Sequence, residues 1–532
     1  MVSRNTIFSA VPVRARTRIL LLLLLLATIA SCASLPPNIE REPSFAMRDT
    51  EPTQLGAWLA PYRDDHPGKS GFYLLTTGLD AYAARVILAD SAERSIDAQY
   101  YLWHGDLVGN LLIDALLQAA DRGVRVRLLL DDMALDSDKD AGVAAINTHP
   151  NIEVRVFNPF ERKSGRWMQF LTRFDDVSRR MHNKSFTADN QATIVGGRNI
   201  GNEYFEADPN LDFADLDVLA VGPVVQQVSE SFDLYWNSAT SYPVSTLIPH
   251  KVSEQELAEM GRELDELVES QRDSAYRQAL INSDLVERLK NETFEFEWGE
   301  AAVLVDDPAK VTADREQTDL HLVTQLRSYS DQISSELVIF SPYFVPGREG
   351  VERLRALRQR GVRVRILTNS LAASDVAIVH AGYAKYRRYL LRDGVELYEI
   401  DKTLTREQRR ADSGYAGSSS ASLHAKSFVL DRERLFIGSL NLDPRSVVEN
   451  TEIGVMIESP DIATAMSDWF DANIEEIAFR LSLEEDARGE EIIVWNRQTE
   501  SGSERYTTEP NTSFWRRFGV GFMSLLPIEH LL

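Results

Sequence analysis

From about Gly71 the chain alternates short apolar runs with amphipathic stretches, and the alternation comes twice. Ser95 to Trp103 alternates as a strand does, and Leu111, Leu112, Ala115, Leu116 and Ala119 give Asn110 to Arg122 a helical spacing. Gly123 closes that helix, and Val124 to Leu130 is the next strand. A strand, a helix and a strand in that order predict a βαβ unit and a parallel sheet. The later chain repeats it: Leu337 to Phe340 is a strand, Glu349 to Arg360 a helix, and Gly361 to Leu367 the following strand. Gly-Val-Arg-Val-Arg stands at 123 and again at 361, an offset of 238 residues. The expected architecture is two like α/β halves, with mostly parallel central sheets, facing each other across a pseudo-two-fold axis.

Other stretches break the pattern. Residues 251–300 are acid-rich, with Leu257, Met260, Leu264 and Leu267 at helical spacing, which predicts a surface helix or insertion. At the carboxyl end Phe514, Phe518, Phe522 and Leu526 recur every four residues, with Trp515 and Met523 alongside and Arg516 and Arg517 facing away. A segment of this kind docks on its own protein or on a bilayer. At the amino end Arg14, Arg16 and Arg18 precede an apolar run from Ile19 to Ala30, shorter than the ~20 residues of a spanning helix. It ends in Ile-Ala-Ser-Cys, which resembles a bacterial lipobox with Cys32 as the lipidated residue. Cys32 is the sole cysteine, so a disulfide within the chain is impossible. The expected organisation is a signal peptide at 1–32, a linker at 33–70 and a first half at 71–250. The acidic helical insertion at 251–300, a second half at 301–500 and an amphipathic terminal segment at 501–532 follow. The body would then lie in the cell envelope, lipid-anchored and facing the periplasm.

The 532 residues are 44% hydrophobic and 26% charged, enough for two cores, but the net charge is −24. A protein gripping a nucleic-acid backbone would carry a basic balance or stripe, so the charge weighs against a nuclease. Two local stretches run the other way. Residues 162–180 interleave Arg162, Lys163, Arg166, Arg173, Arg179 and Arg180 with Trp167, Met168, Phe170, Leu171 and Phe174. Residues 380–392 repeat that character. Both suit an anionic interface, either lipid headgroup or nucleic acid.

The candidate chemistry is a doubled octet. His182-Asn183-Lys184-Ser185-Phe186-Thr187-Ala188-Asp189 returns as His424-Ala425-Lys426-Ser427-Phe428-Val429-Leu430-Asp431, 242 residues on. Each octet runs into a turn ending in Asn199 or Asn441, 17 residues after its His. In an extended segment residues i and i+2 project to one side, so each His stands with its Lys. Two such pairs suit attack on a phosphodiester. One His forms a covalent phosphohistidine, the other protonates the leaving oxygen, and Lys184, Lys426, Asn199 and Asn441 hold the phosphoryl oxygens. The far ring nitrogen of such a His needs a carboxylate. Glu452, 28 residues after His424, and Asp215, in the matching place after His182, are the candidate orienters.

These octets resemble the signature of the phospholipase D superfamily. The resemblance implies two duplicated phospholipase D-like halves, a structural role for Asp189 and Asp431 within the motif, and no metal or other cofactor. The chain has no HExxH and no Cys cluster that would ask for an ion. Further runs, among them Asp97 to Tyr101, Asp306 to Lys310, Val379 to Ala384 and Asp443 to Ser446, resemble bacterial cardiolipin synthases of the C type. That resemblance implies transphosphatidylation: a phosphatidyl group passes through a His to the glycerol headgroup of phosphatidylglycerol. The donor would be phosphatidylethanolamine or a second phosphatidylglycerol. Phospholipids and the membrane are the expected partners, nucleic acid is not, and a helper protein stays open. By family habit His182 is the nucleophile and His424 the acid, although the symmetry permits the reverse. Hydrolytic phospholipase D and a phosphodiesterase or nuclease are the alternatives.

Overall fold

The computed structural model describes residues 35–38, 41–135, 137–162, 165–208, 213–248, 252–374, 376–402, 422–499 and 502–524. The apolar run and Cys32 lie outside them. The first half holds β1 (Ser70–Leu75), β2 (Ser95–Tyr100), β3 (Arg125–Asp131), β4 (Ile152–Phe157), β5 (Ser185–Ala188), β6 (Ala192–Gly196), β7 (Phe213–Ala214), β8 (Asp217–Val221) and β9 (Ser241–Pro243). The second holds β10 (Glu297–Val305), β11 (Glu336–Phe340), β12 (Arg363–Asn369), β13 (Glu396–Ile400), β14 (Ser422–Leu423), β15 (Ser427–Leu430), β16 (Arg434–Gly438) and β17 (Ile453–Glu458). Three carboxyl-terminal strands follow: β18 (Ala478–Glu485), β19 (Glu491–Thr499) and β20 (Gly502–Tyr506).

In each half three strands run parallel, β2-β3-β4 and β11-β12-β13. The octet strand then adds antiparallel beside the first of them, β5 on β2 and β15 on β11. β5 then returns as β6 through a turn at Asp189 and Asn190, and so short a connection can join antiparallel strands alone. Each half is therefore mixed, with its parallel strands grouped together. The halves join through one antiparallel seam, with Ser70 opposite Gly299 and Phe72 opposite Glu297.

The helices follow from spacing and caps. Leu107–Asp121 starts at Asp106, whose side chain accepts from the Gly109 N–H, and buries Val108, Leu112, Ala115, Leu116 and Ala119. Gly123 and Gly361 take φ of +95° and +89°, which is why glycine stands after the equivalent helix in each half. The duplication extends to buried ion pairs. Arg127 grips Asp97 across β3 and β2, and Arg365 grips Glu336 across β12 and β11.

Two boundaries differ from expectation. The stretch 33–70, expected as a linker, contains a helix at Gln54–Asp65, capped by Thr53, with Leu55 and Leu59 buried. Just before it, the carbonyls of Glu42 and Ser44 accept from Arg155 and Arg127, so this segment straps the first half. The helix Glu254–Gln271 has a Ser253–Glu256 capping box and buries no residue, as a solvated face requires. Leu285, Phe294 and Phe296 nevertheless enter the core, and β10 starts at Glu297, inside the stretch expected as an insertion.

Candidate active site

The octets sit at corresponding places. In each, the His and Lys precede the octet strand, and the Lys turns its ammonium back onto the carbonyl of its own His, at 2.5 Å in both copies. Asp189 and Asp431, which complete the octets and for which the resemblance implies a structural role, lie at the other end of those strands. Asp189 accepts the backbone N–H groups of Glu93, Arg94 and Ser95; Asp431 accepts those of Ser334, Ser335 and Glu336. Each carboxylate ties its octet to the turn that opens the neighbouring strand. Asp189→Ala would leave three N–H groups without an acceptor, so unfolding free energy falls by about 3 kcal/mol in a denaturant titration. Activity per folded molecule changes far less, because this carboxylate is remote from the imidazoles.

The halves interlock at the His residues. The His182 N–H donates to Thr451 O at 2.8 Å, and the Thr451 N–H donates back to Arg180 O at 2.9 Å. In the other half His424 and Ala425 both donate to Ala214 O, and β14 pairs with β7 in parallel. The carboxylates are consequently crossed. His182 Nδ1 lies 2.9 Å from Glu452, and His424 Nδ1 lies 2.5 Å from Asp215. Each imidazole is held by the half opposite to its own, not by the carboxylate that follows it in sequence. Ser439 O also lies 3.2 Å from His182 Nδ1, and a carbonyl can only accept, so Nδ1 carries the proton. Nε2 is left as the nitrogen that keeps its lone pair.

The two carboxylates are backed differently. Gly197 stands against Asp215, where a Cβ would lie 2.2 Å from Oδ1. The corresponding place in the second half is Ser439, whose hydroxyl donates to Glu452 at 2.5 Å. Burial pushes Glu452 up to about 7, with Lys184 opposing. Burial also works to raise Asp215, but the His424 ring, Lys426 and Arg198 outweigh it and hold the carboxyl well below the usual range. Burial, then Lys184 and Lys426, put His182 well below the ordinary imidazole value. Burial and Lys426 lower His424 as well, with Asp215 pulling the other way. Lys184 itself is pushed down to about 7 by burial, Glu452 opposing and Lys426 adding. The result is two neutral imidazoles, of which His424, on an ionised carboxylate, is better prepared to hold a second proton.

The asparagines divide. The Asn199 carboxamide is engaged within the protein, accepting from Leu102 N–H and donating to the Tyr204 hydroxyl, so it braces the turn. Asn441 is buried, and its carboxamide oxygen has no partner among the described residues. The octets gave no sign of the aromatic walls. The Tyr101 ring lies 5.0 Å from His182, and Tyr204 and Phe213 each lie 5.2 Å from His424. Nor did they show Asp306, which accepts from Glu452 N–H and Lys310 and fixes the strand carrying Glu452. Tyr101, Asp306 and Lys310 do fall within the longer runs of family resemblance.

The described arginines of the two basic stretches are turned onto carboxylates and do not form a cationic surface for an anionic partner. Arg162 and Arg166 turn onto Asp132, Arg179 onto Glu449 and Arg180 onto Asp131. In the second stretch Arg387 pairs with Glu399 and Glu509, and Arg388 and Arg392 with Glu491. Their spacing in sequence does not show that acidic partners lie on neighbouring elements.

Comparisons with known proteins match the chain across both halves. A family model described as cardiolipin synthase, PLD-like domain, matches residues 86–236 and 328–474, one copy per half. The chain is 42% identical over 483 residues to cardiolipin synthase C of Escherichia coli (strain K12), covering 90% of this chain and all of that one. It is 33% identical over 493 residues to an uncharacterized protein of Helicobacter pylori, covering 91% and 94%. Among solved structures it is similar to phosphatidylserine synthase of Haemophilus influenzae Rd KW20, with a TM-score of 0.53, 16% identity, and 77% and 87% covered. That likeness bears on the fold.

Proposed function

Since the chain belongs to the cardiolipin synthase family of phospholipase D-like phosphatidyltransferases, we propose that it makes cardiolipin by two displacements at one phosphorus. The observation that carries this reading is the crossed pair, His182 on Glu452 and His424 on Asp215, which occupies Nδ1 of each ring and leaves the Nε2 atoms, that of His424 beside the Lys426 ammonium at 3.2 Å, to serve one phosphodiester. His182, the ring held most firmly neutral, attacks phosphorus with its Nε2 lone pair. The bond from phosphorus to the headgroup oxygen breaks, and His424, protonated at Nε2, gives its proton to the departing alcohol. Ethanolamine or glycerol leaves, and the phosphatidyl group remains on His182 as a phosphoramidate. A glycerol hydroxyl of phosphatidylglycerol then attacks, His424 takes its proton, and cardiolipin departs with His182 restored. Lys184 and Lys426 face the non-bridging oxygens, where negative charge concentrates in each transition state.

Water competes with the lipid hydroxyl for the phosphoramidate. The depth of the site supports transfer over hydrolysis: Lys184 and Lys426 are each 1% exposed and both His residues 8%. Cys32 anchors the protein on the periplasmic side in this reading. Among the described residues no helix is long and apolar enough to cross a membrane.

Mass spectrometry of the lipids formed from phosphatidylglycerol, with and without phosphatidylethanolamine, tests the assignment. Cardiolipin is expected, and phosphatidic acid alone would replace the reading with hydrolysis. The rate should also peak close to pH 7. Below about 7 Glu452 takes up a proton and His182 loses its charged acceptor; above about 7 Lys184 loses its ammonium. A pH profile of kcat/KM checks this, and Lys184→Arg, which keeps its charge, should move the alkaline limb upward.

A further inference from the structure

The helix Phe514–Ser524 turns one side inward and leaves the other bare. Val520 packs against Leu371 and Ala381, and Arg516 donates to Ser374 O. Ahead of the helix Glu509 is clamped by Arg387 at 2.5 Å, and Asn511 donates to Asp401. The mount is therefore rigid. On the outer side Phe514, Trp515, Phe518 and Phe522 are 63%, 75%, 60% and 59% exposed. Side chains so large are not left in water by a mount this firm without something to cover them.

Their position relative to the site identifies the cover. Leu371 lies two residues beyond Asn369, at the end of β12, and Asn369 exchanges hydrogen bonds in both directions with Leu423, the residue before His424. The equivalent place in the first half is Asp131, at the end of β3, which accepts from Met181 N–H, the residue before His182. Beside it, Arg166 donates to Asp132 O and starts the short helix Arg166–Thr172, from which Trp167 stands 65% exposed, with Phe174 44% exposed just after. So both aromatic groups sit at the carboxyl ends of parallel strands, the end of an α/β sheet where ligands bind. Of eleven exposed large hydrophobic side chains among the described residues, six belong to these two groups. The neighbouring arginines are turned inward into ion pairs or onto carbonyls, so the surface presented is aromatic and not cationic.

We propose that the aromatic face of the helix Phe514–Ser524, with Trp167 and Phe174 at the equivalent place in the first half, seats in the interface of a phospholipid bilayer. Phe and Trp on one side of a short rigid helix match the headgroup–acyl boundary, where such rings are favoured. Lipid headgroups then reach the His pair from between the two groups while the acyl chains stay in the membrane. This second part rests on the phosphatidyl-transfer reading; the seating itself does not.

The sole cysteine makes the test local. Full-length protein carrying Cys32→Ser and Phe518→Cys is labelled with nitrobenzoxadiazole and mixed with vesicles of phosphatidylglycerol and phosphatidylethanolamine. Expected are a several-fold rise in emission and quenching by spin-labelled lipid, both unmoved by salt, with no change for the dye at Glu266→Cys on the solvated helix. An unchanged signal at 518 overturns the proposal. So does a rise without vesicles that grows with protein concentration, which would make the cover a second copy of the chain. A second variant, Phe518→Ser/Phe522→Ser, should lose about tenfold in transfer on vesicles yet stay within about twofold on monomeric dioctanoyl lipids. Equal loss on both overturns the coupling of seating to substrate entry. A protein that inserts the dye but transfers nothing upholds the seating and sinks the phosphatidyl-transfer reading.

Discussion

Replacing His182 with alanine is expected to lower phosphatidyl transfer by about ten-thousand-fold or more, with the fold intact by circular dichroism. The group removed is the atom that bonds to phosphorus, and the covalent route closes with it. His424→Ala should be as damaging with a natural donor, where an alkoxide must leave, but for a different reason. A donor with a nitrophenyl leaving group needs no proton, so His424→Ala should recover its first step on that substrate and His182→Ala should not. Release of nitrophenol in a single burst, followed by no turnover, is the expected signature. The adduct forms, but no base remains to take the proton from the incoming hydroxyl. If the two variants behave alike on both donors, the division of labour between the rings is wrong.

Asp215→Asn should cost about a thousandfold, and Glu452→Gln clearly less. Asp215 is ionised and holds His424 Nδ1 at 2.5 Å, so it stabilises the imidazolium that the general acid must be. An amide removes that charge and can present its NH2 group to the ring, favouring the wrong tautomer. Glu452, raised to about 7, already shares a proton with its surroundings near neutrality, and Ser439 O continues to accept from His182 Nδ1. kcat values for the two variants at pH 7 check the order. The nitrophenyl donor should restore much of the Asp215→Asn loss in the first step, since that loss lies in the acid. A larger effect at Glu452 would exchange the roles assigned to the two imidazoles.

The sequence carried the repeat because duplication copies local patterns. The βαβ spacing around Gly123 and Gly361 and the octets themselves are contiguous, and both were legible. The seam between Ser70 and Gly299 was not, since a pairing 229 residues apart leaves no mark on either strand. The crossing of the carboxylates was hidden for the same reason. Spacing along the chain places Glu452 with His424, and only packing of one half on the other carries it to His182. The helix Gln54–Asp65 escaped because Pro61 stands within it and few apolar positions mark its inner face. Arg162, Arg166 and Arg387 appeared basic in sequence and are neutralised in space by Asp132, Glu399 and Glu509, none of them on the same element.

The central claim is that two imidazoles, one from each half, pass a phosphatidyl group through a bond to nitrogen. Rapid acid-free quenching of the enzyme with donor lipid, followed by peptide mass spectrometry, tests it most directly. A phosphatidyl adduct on the peptide bearing His182, discharged to cardiolipin when phosphatidylglycerol is added, is the predicted result. Steady transfer with neither imidazole ever labelled, or with the label on His424, would contradict it.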